Sequence, residues 1–162
     1  MPGISNWPEL NVRTYVSRDG KPGVWFFSLD ATNVVAVEAA KRLFRLPYYR
    51  AQMRCERRAD FVLYESARLG AAFSARYRGS GDLFHAQPGS LEWFLAERYC
   101  LYATDAHGAL HRAEIHHPPW PLQRAEVEIQ LTSIAPLELS GSPLCHFSRS
   151  QDVVIWPLEA VL

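Results

Sequence analysis

The sequence predicts a mainly β fold of the α+β kind, an antiparallel barrel or curled sheet with one longer and one short helix. Period-two alternation of apolar and polar residues runs along most of the chain, as strands exposed on one face require. Clusters of Gly, Pro, Asn and Asp interrupt that alternation at the short intervals typical of hairpin connections. A helical period is confined to residues 32–46 and to a short piece around residue 92. With 162 residues, 48% hydrophobic and 12% aromatic, the chain can bury a core of its own. One domain over residues 1–162 is therefore expected, and a disordered chain is excluded.

Asn11 to Val16 alternates Val12, Thr14 and Val16 with Arg13 and Tyr15, and Val24 to Asp30 is an aromatic, β-prone run. Gly20, Lys21, Pro22 and Gly23 between them read as a hairpin turn. From Thr32 to Leu46 the pattern turns helical, with a cap at Thr32 or Asn33 and a stop at Pro47. Three strands then form an antiparallel meander. Tyr49, Ala51, Met53 and Cys55 share a face of the first; Tyr64, Ser66 and Arg68 oppose Phe61, Leu63 and Ala67 on the second; Ala71, Phe73, Ala75 and Tyr77 oppose Ser74, Arg76 and Arg78 on the third. Gly79 to Asp82 ends the third strand. Ser90 caps a short helix over Leu91 to Glu97, with Glu92 in its first turn. Arg98 to Thr104 extends to a turn at Asp105 to Gly108, and Leu110 to His117 pairs back. Ala125, Val127, Ile129 and Leu131 alternate with acidic and amide residues, and Leu144 to Ser148 and Val153 to Trp156 supply the last strands.

Charge and cysteine usage narrow the function classes. The 17 basic and 17 acidic residues cancel, so no field attracts phosphate backbones or anionic lipids, and neither nucleic acid nor membrane is expected as a partner. Cys55, Cys100 and Cys145 form no CxxC pair, which argues against a disulfide framework and a thiolate zinc site and fits a reducing cytoplasm. No apolar run reaches the ~18 residues that span a bilayer. His85, His107, His111 and His146 are dispersed without an HxH or HExxH pattern, and no glycine-rich phosphate loop is present. No metal and no cofactor are expected.

The chemistry-bearing residues concentrate around Glu114 to Gln123. Pro118, Pro119 and Pro121 fix φ and remove backbone donors, so this segment is a rigid crossing at the end of a strand. On that strand Glu114 and His116 share one face while His117 takes the other. A carboxylate beside an imidazole fixes its tautomer, which makes Glu114 and His116 the candidate catalytic acid/base pair. The competing reading has them cross-linking strands, with His117 an anchor before the prolines. Tyr64, Ser66 and Arg68 would form a carboxylate clamp if their face points inward, and an ordinary polar surface if it points outward. The same choice applies to Arg13 with Tyr15, and Trp120 is placed to line a cavity mouth.

Several of these stretches resemble the YqjF-like family of uncharacterised bacterial proteins: Asn11 to Val16, Gly23 to Ala31, Leu46 to Tyr48, Gly89 to Glu92, Glu97 to Tyr102, and above all His116-His117-Pro118-Pro119-Trp120-Pro121-Leu122. The resemblance runs in order through essentially the whole chain. It implies a fold of acetoacetate decarboxylase-like type, a β-barrel or cone around a central cavity. Members of the family usually carry further residues, strands among them, before the Asn-Val-Arg-Thr-Tyr-Val segment, where this chain has ten residues. The barrel is accordingly expected to lack those strands and to expose an edge that invites a homo-oligomer. Acetoacetate decarboxylases use a Schiff-base lysine beside a second lysine, and this chain has only Lys21 and Lys41, unpaired. A Schiff-base decarboxylase is not expected.

The function expected from these readings is binding of a small organic acid or carbonyl compound, an anionic ligand held by Arg68 or Arg13. Transformation by Glu114 and His116 is the enzymatic form of that reading. The alternative is a non-catalytic β module that senses a ligand or joins subunits.

Overall fold

The computed structural model describes residues 7–33, 37–38, 43–134 and 141–161. Two sheets make up the fold. The first runs in the order β1-β2-β7-β8-β11, with β3 added on β2 and β12 on β8, and the second in the order β10-β9-β6-β5-β4. Their strands are β1 (Glu9–Arg18), β2 (Lys21–Ala31), β3 (Tyr48–Arg50), β4 (Gln52–Arg58), β5 (Phe61–Arg68), β6 (Ala71–Phe84), β7 (Cys100–Thr104), β8 (Leu110–His116), β9 (Leu122–Thr132), β10 (His146–Phe147), β11 (Val154–Ile155) and β12 (Glu159–Ala160). A single helix turn and a half, α1 (Leu91–Ala96), lies between β6 and β7. The mainly β, curled half-barrel expected from alternation is what the chain forms.

The predicted antiparallel β4-β5-β6 meander is present, with Cys55 opposite Tyr64 and Tyr64 opposite Ala75. α1 is capped as expected, with Ser90 Oγ accepting from Trp93 N at 3.1 Å. Three boundaries differ from the sequence reading. The first hairpin turns at Asp19 and Gly20, with φ of 51° and 76°, so Lys21 pairs with Arg18 and Pro22 with Ser17 inside the ladder. Two successive left-handed residues make the tight turn that matches strand twist, and Asp-Gly supplies them at low cost. The predicted strand from Tyr49 to Glu56 is two strands: Tyr48–Arg50 pairs parallel to β2, and Gln52–Arg58 pairs with β5 in the other sheet. The chain changes sheet at Ala51, whose N donates to Ala31 O at 3.0 Å. Finally, Gly79 to Asp82 does not end β6; the strand continues to Phe84 through an irregularity between Ser80 and Phe84. Of the helix predicted over 32–46, residues 34–36 and 39–42 lie outside the described residues; Val37, Glu38, Leu43 and Phe44 are helical, and Thr32, Asn33, Arg45 and Leu46 are not.

Val24, Leu29, Leu46, Leu101, Ala103 and Ala113 form the main buried cluster on β2, β7 and β8, with Tyr15, Phe26, Phe44, Tyr48, Ile115 and Leu158 packed against it. Parallel β2 and β7 approach closely there: a Cβ on Gly23 would lie 2.8 Å from Cys100 O and from the Tyr102 ring. Polar groups join the sheets across the interior. Ser66 Oγ donates to Asp30 Oδ2 at 3.1 Å, Arg68 Nε to Asp30 Oδ1 at 2.7 Å, and Tyr64 Oη to Glu9 O at 2.7 Å. No helix among the described residues is long and apolar enough to cross a membrane.

Candidate ligand site

The Tyr64, Ser66 and Arg68 face of β5 points inward, toward the first sheet, while Glu65 and Ala67 are exposed. Ser66 and Arg68 on that face hold the chain's own Asp30, which is 1% exposed, and not a ligand, while Tyr64 bonds the Glu9 carbonyl. Arg68 also stacks its guanidinium 4.2 Å above the Tyr49 ring. Tyr48 Oη donates to Glu9 Oε2 at 2.8 Å, beside the Tyr64 bond to the same residue. Surrounding protein raises the Glu9 carboxyl above its usual value even though solvent still reaches the side chain. Asp30 was missed in the sequence; a lone acid inside the buried run Leu29, Asp30 and Ala31 was its available signal.

Glu114 and His116 lie on the same face of β8, as alternation requires. Glu114 Oε1 accepts from Lys21 Nζ at 2.5 Å, with Arg112 Nε at 3.7 Å. His116 is exposed, opposite Val154. An ion-paired ammonium is not a free amine nucleophile, and Lys41 lies outside the described residues. Glu114 and His116 are not in the wall of the cavity that takes in two of the other predicted residues.

That cavity, of about 190 Å³, is bounded by Arg13 and Tyr15 of β1, Glu92, Leu95 and Ala96 of α1, Trp120 and Leu122 at the start of β9, and His146 and Ser148 at β10. Edge strands of both sheets and the short helix thus meet around it. Beside Arg13 the β1–β2 register shifts: Val12 faces Ser28 and Arg13 faces Phe26, leaving Phe27 unpaired, a bulge of the kind that re-aims side chains at binding sites. Leu95 O accepts from Tyr15 Oη at 3.1 Å and weakly from Arg13 Nη2 at 3.4 Å, and Arg13 has no carboxylate partner among the described residues. Opposite it, His146 Nε2 lies 3.8 Å from Glu92 Oε1, with Phe84 edge-on to the imidazole.

Behind the cavity sits a dense polar node. Glu97, 4% exposed, accepts from Tyr99 Oη and, at 3.3 Å, from Trp120 N. Burial and the bond to Glu97 push the Tyr99 phenol up to about 12. His117 is the anchor its position suggested: it stacks on Tyr99 at 4.6 Å and bonds Pro118 O at 2.9 Å and Arg98 O at 3.3 Å. Arg98, 9% exposed, makes no ion pair with a carboxylate among the described residues; it lies 4.3 Å from the Phe94 ring centre and 5.6 Å from that of Tyr15. Burial lowers its affinity for its proton, and the nearby charge of Arg13 adds to that. Among the described residues, the buried side-chain nitrogens without an acceptor are Arg98 Nε and Trp120 Nε1, and both belong to this quarter of the molecule. The site is therefore rich in donors and short of acceptors. Arg13 and Trp120, singled out in the sequence as ligand residues, both lie in this wall; Glu92, Arg98 and His146 were not singled out, because the stretch that carries Glu92 and Arg98 meets His146 only through the fold. No group of three or more His, Cys, Asp or Glu side chains among the described residues could hold a metal ion.

Residues 1–152 match a family described as uncharacterized conserved protein. The chain is 44% identical to the uncharacterized protein YqjF of Bacillus subtilis, over 98% of this chain and 68% of the relative. Among solved structures, an acetoacetate decarboxylase from Legionella pneumophila superposes with a TM-score of 0.63 at 14% identity, over 96% of this chain and 67% of that one. The enduracididine biosynthesis enzyme MppR, in complex with pyruvate, superposes with a TM-score of 0.55 at 12% identity, over 95% of this chain and 64% of that one. At such identities these likenesses establish the fold, an acetoacetate decarboxylase-like one, and nothing finer.

Proposed function

The chain belongs to the DUF2071 family of uncharacterized conserved proteins, and from that premise we propose that it binds a small organic acid or carbonyl compound in the cavity between β1, α1, β9 and β10. Arg13, which stands in the cavity wall and has no carboxylate partner among the described residues, carries this reading. Arg13 supplies the charge-assisted bond to a carboxylate, and Trp120 gives the wall an aromatic surface for the rest of the ligand. The volume of about 190 Å³ admits a molecule of a few heavy atoms. Pyruvate bound to a structural neighbour of this fold is of that class.

The chemistry proposed is proton transfer at a carbon next to the ligand carbonyl. Glu92 and His146 take this role in preference to Glu114 and His116, because they stand in the cavity wall whereas Lys21 already occupies Glu114. Calorimetric titration with pyruvate, and with its neutral amide as control, tests the binding. Arg13→Gln should weaken pyruvate binding by tenfold or more and leave the amide unaffected; equal pyruvate affinity in Arg13→Gln overturns the site. Proton NMR in heavy water follows loss of the methyl signal of pyruvate. Exchange that disappears in His146→Gln supports catalysis, and binding without exchange identifies a ligand-sensing module.

A further inference from the structure

A separate recess of about 270 Å³ opens where the β4–β5 turn meets β6, β9 and β10, bounded chiefly by Arg57, Arg78, Arg149, Asp60, Gly79 and Phe147. It shares no wall residue with the Arg13 cavity. In a chain of zero formal net charge, three guanidiniums and one carboxylate around one hollow are a local concentration of positive charge. One of the three is already satisfied: Arg78 Nη1 donates to Asp60 Oδ2 at 2.5 Å, and its Nη2 and Nε donate to Glu126 Oε2 at 2.7 and 2.8 Å. Neighbouring Arg58 turns away to Glu56. Arg57 and Arg149 are left, with no acceptor among the described residues. The floor is fixed by Gly79, where a Cβ would come within 2.6 Å of the Phe147 ring, and by Gln123, whose Nε2 is held by Gly81 O at 2.8 Å.

We propose that this recess binds an oxyanion of the phosphate class between the guanidiniums of Arg57 and Arg149. Arg57 and Arg149 are both exposed on the rim of one hollow without a carboxylate partner among the described residues, and a dianion neutralises both where a single carboxylate neutralises one. The planar fork of each guanidinium also matches two oxygens of a tetrahedral oxyanion. Asp60, tied to Arg78, is turned from a competitor for the anion into a strut for the wall.

Calorimetry at low ionic strength with inorganic phosphate, phenyl phosphate and acetate tests the proposal on the whole chain. Phosphate should bind one to one and more tightly than acetate, and added sodium chloride should weaken it. Arg57→Ala and Arg149→Ala should each lower the affinity about tenfold, while far-ultraviolet circular dichroism confirms that both variants remain folded. Tighter binding of phenyl phosphate than of phosphate would identify a monoester ligand, and equal binding the free ion. Arg13→Gln should leave phosphate affinity unchanged, so failure here is distinguishable from failure of the pyruvate site. Absence of phosphate binding, acetate binding as tightly as phosphate, or unaltered affinity in the Arg57→Ala, Arg149→Ala double variant overturns it.

Discussion

Arg68→Ala should destabilise the protein by about 3 kcal/mol, because it strips Asp30 of its one charged partner among the described residues while leaving the carboxylate buried. Asp30 is 1% exposed and Arg68 is 18% exposed at its side chain, so the carboxylate is left mostly buried when the guanidinium goes. Ser66 Oγ remains as one donor at 3.1 Å, which holds the cost to the lower end of the range for breaking a buried pair. Loss of the stack on Tyr49 adds a smaller amount. Asp30→Asn keeps an acceptor for Ser66 and leaves an arginine that can turn toward solvent, so it should cost only ~1–2 kcal/mol. The double variant should cost roughly 2 kcal/mol less than the sum of the single changes, since no uncompensated charge remains. Urea unfolding followed by tryptophan fluorescence gives all four corners of the cycle. For a chain of this size the single Arg68→Ala change corresponds to roughly 6–12 °C in Tm. An Arg68→Ala cost below ~1 kcal/mol, or additive costs, would show that the pair is not the tie between the sheets inferred here.

Other expectations follow from individual contacts. Because burial raises the Glu9 carboxyl in the folded chain, the folded state holds that proton more tightly than the unfolded one, and stability from this group declines as pH rises through the raised value. Glu9→Gln should therefore be as stable as the parent or more so at neutral pH, with the difference vanishing as pH falls toward the ordinary carboxyl value of 4.5, read by urea unfolding across pH. Tyr99→Phe should cost ~1–3 kcal/mol by removing a donor from buried Glu97. The same change should abolish the phenolate absorbance step near pH 12 that Tyr99 contributes. Gly23→Ala should cost ~1–3 kcal/mol, since its Cβ would lie 2.8 Å from Cys100 O across the β2–β7 junction, and thermal unfolding measures it.

The parts of the fold that sequence disclosed are those where one physical requirement dominates. Period-two patterning places Tyr64, Ser66 and Arg68 on one face of β5, and hydrophobic need alone cannot say which face is inside, because Phe61, Leu63 and Ala67 compete for burial. The structure resolves the tie through Asp30, a contact 36 residues away in the chain that no local pattern encodes. Ser90 and Glu92 announced α1 because capping is local; the pairing of Glu92 with His146 spans β7, β8 and β9 and left no local trace. Segmentation failed where strands changed partners: alternation passes unbroken through Ala51, yet the ladder does not.

That handover at Ala51 leaves no slack. Arg50 belongs to one ladder and Gln52 to the other, so at this crossing a single buried alanine carries the chain from one sheet to the next. Neither sheet can peel open without tugging the first rung of its neighbour, and amide protons on both sides of the seam should be released in one concerted event. A loop insertion tolerated at an ordinary hairpin would here loosen the crossing between the two sheets, which makes this position a rivet and not a hinge.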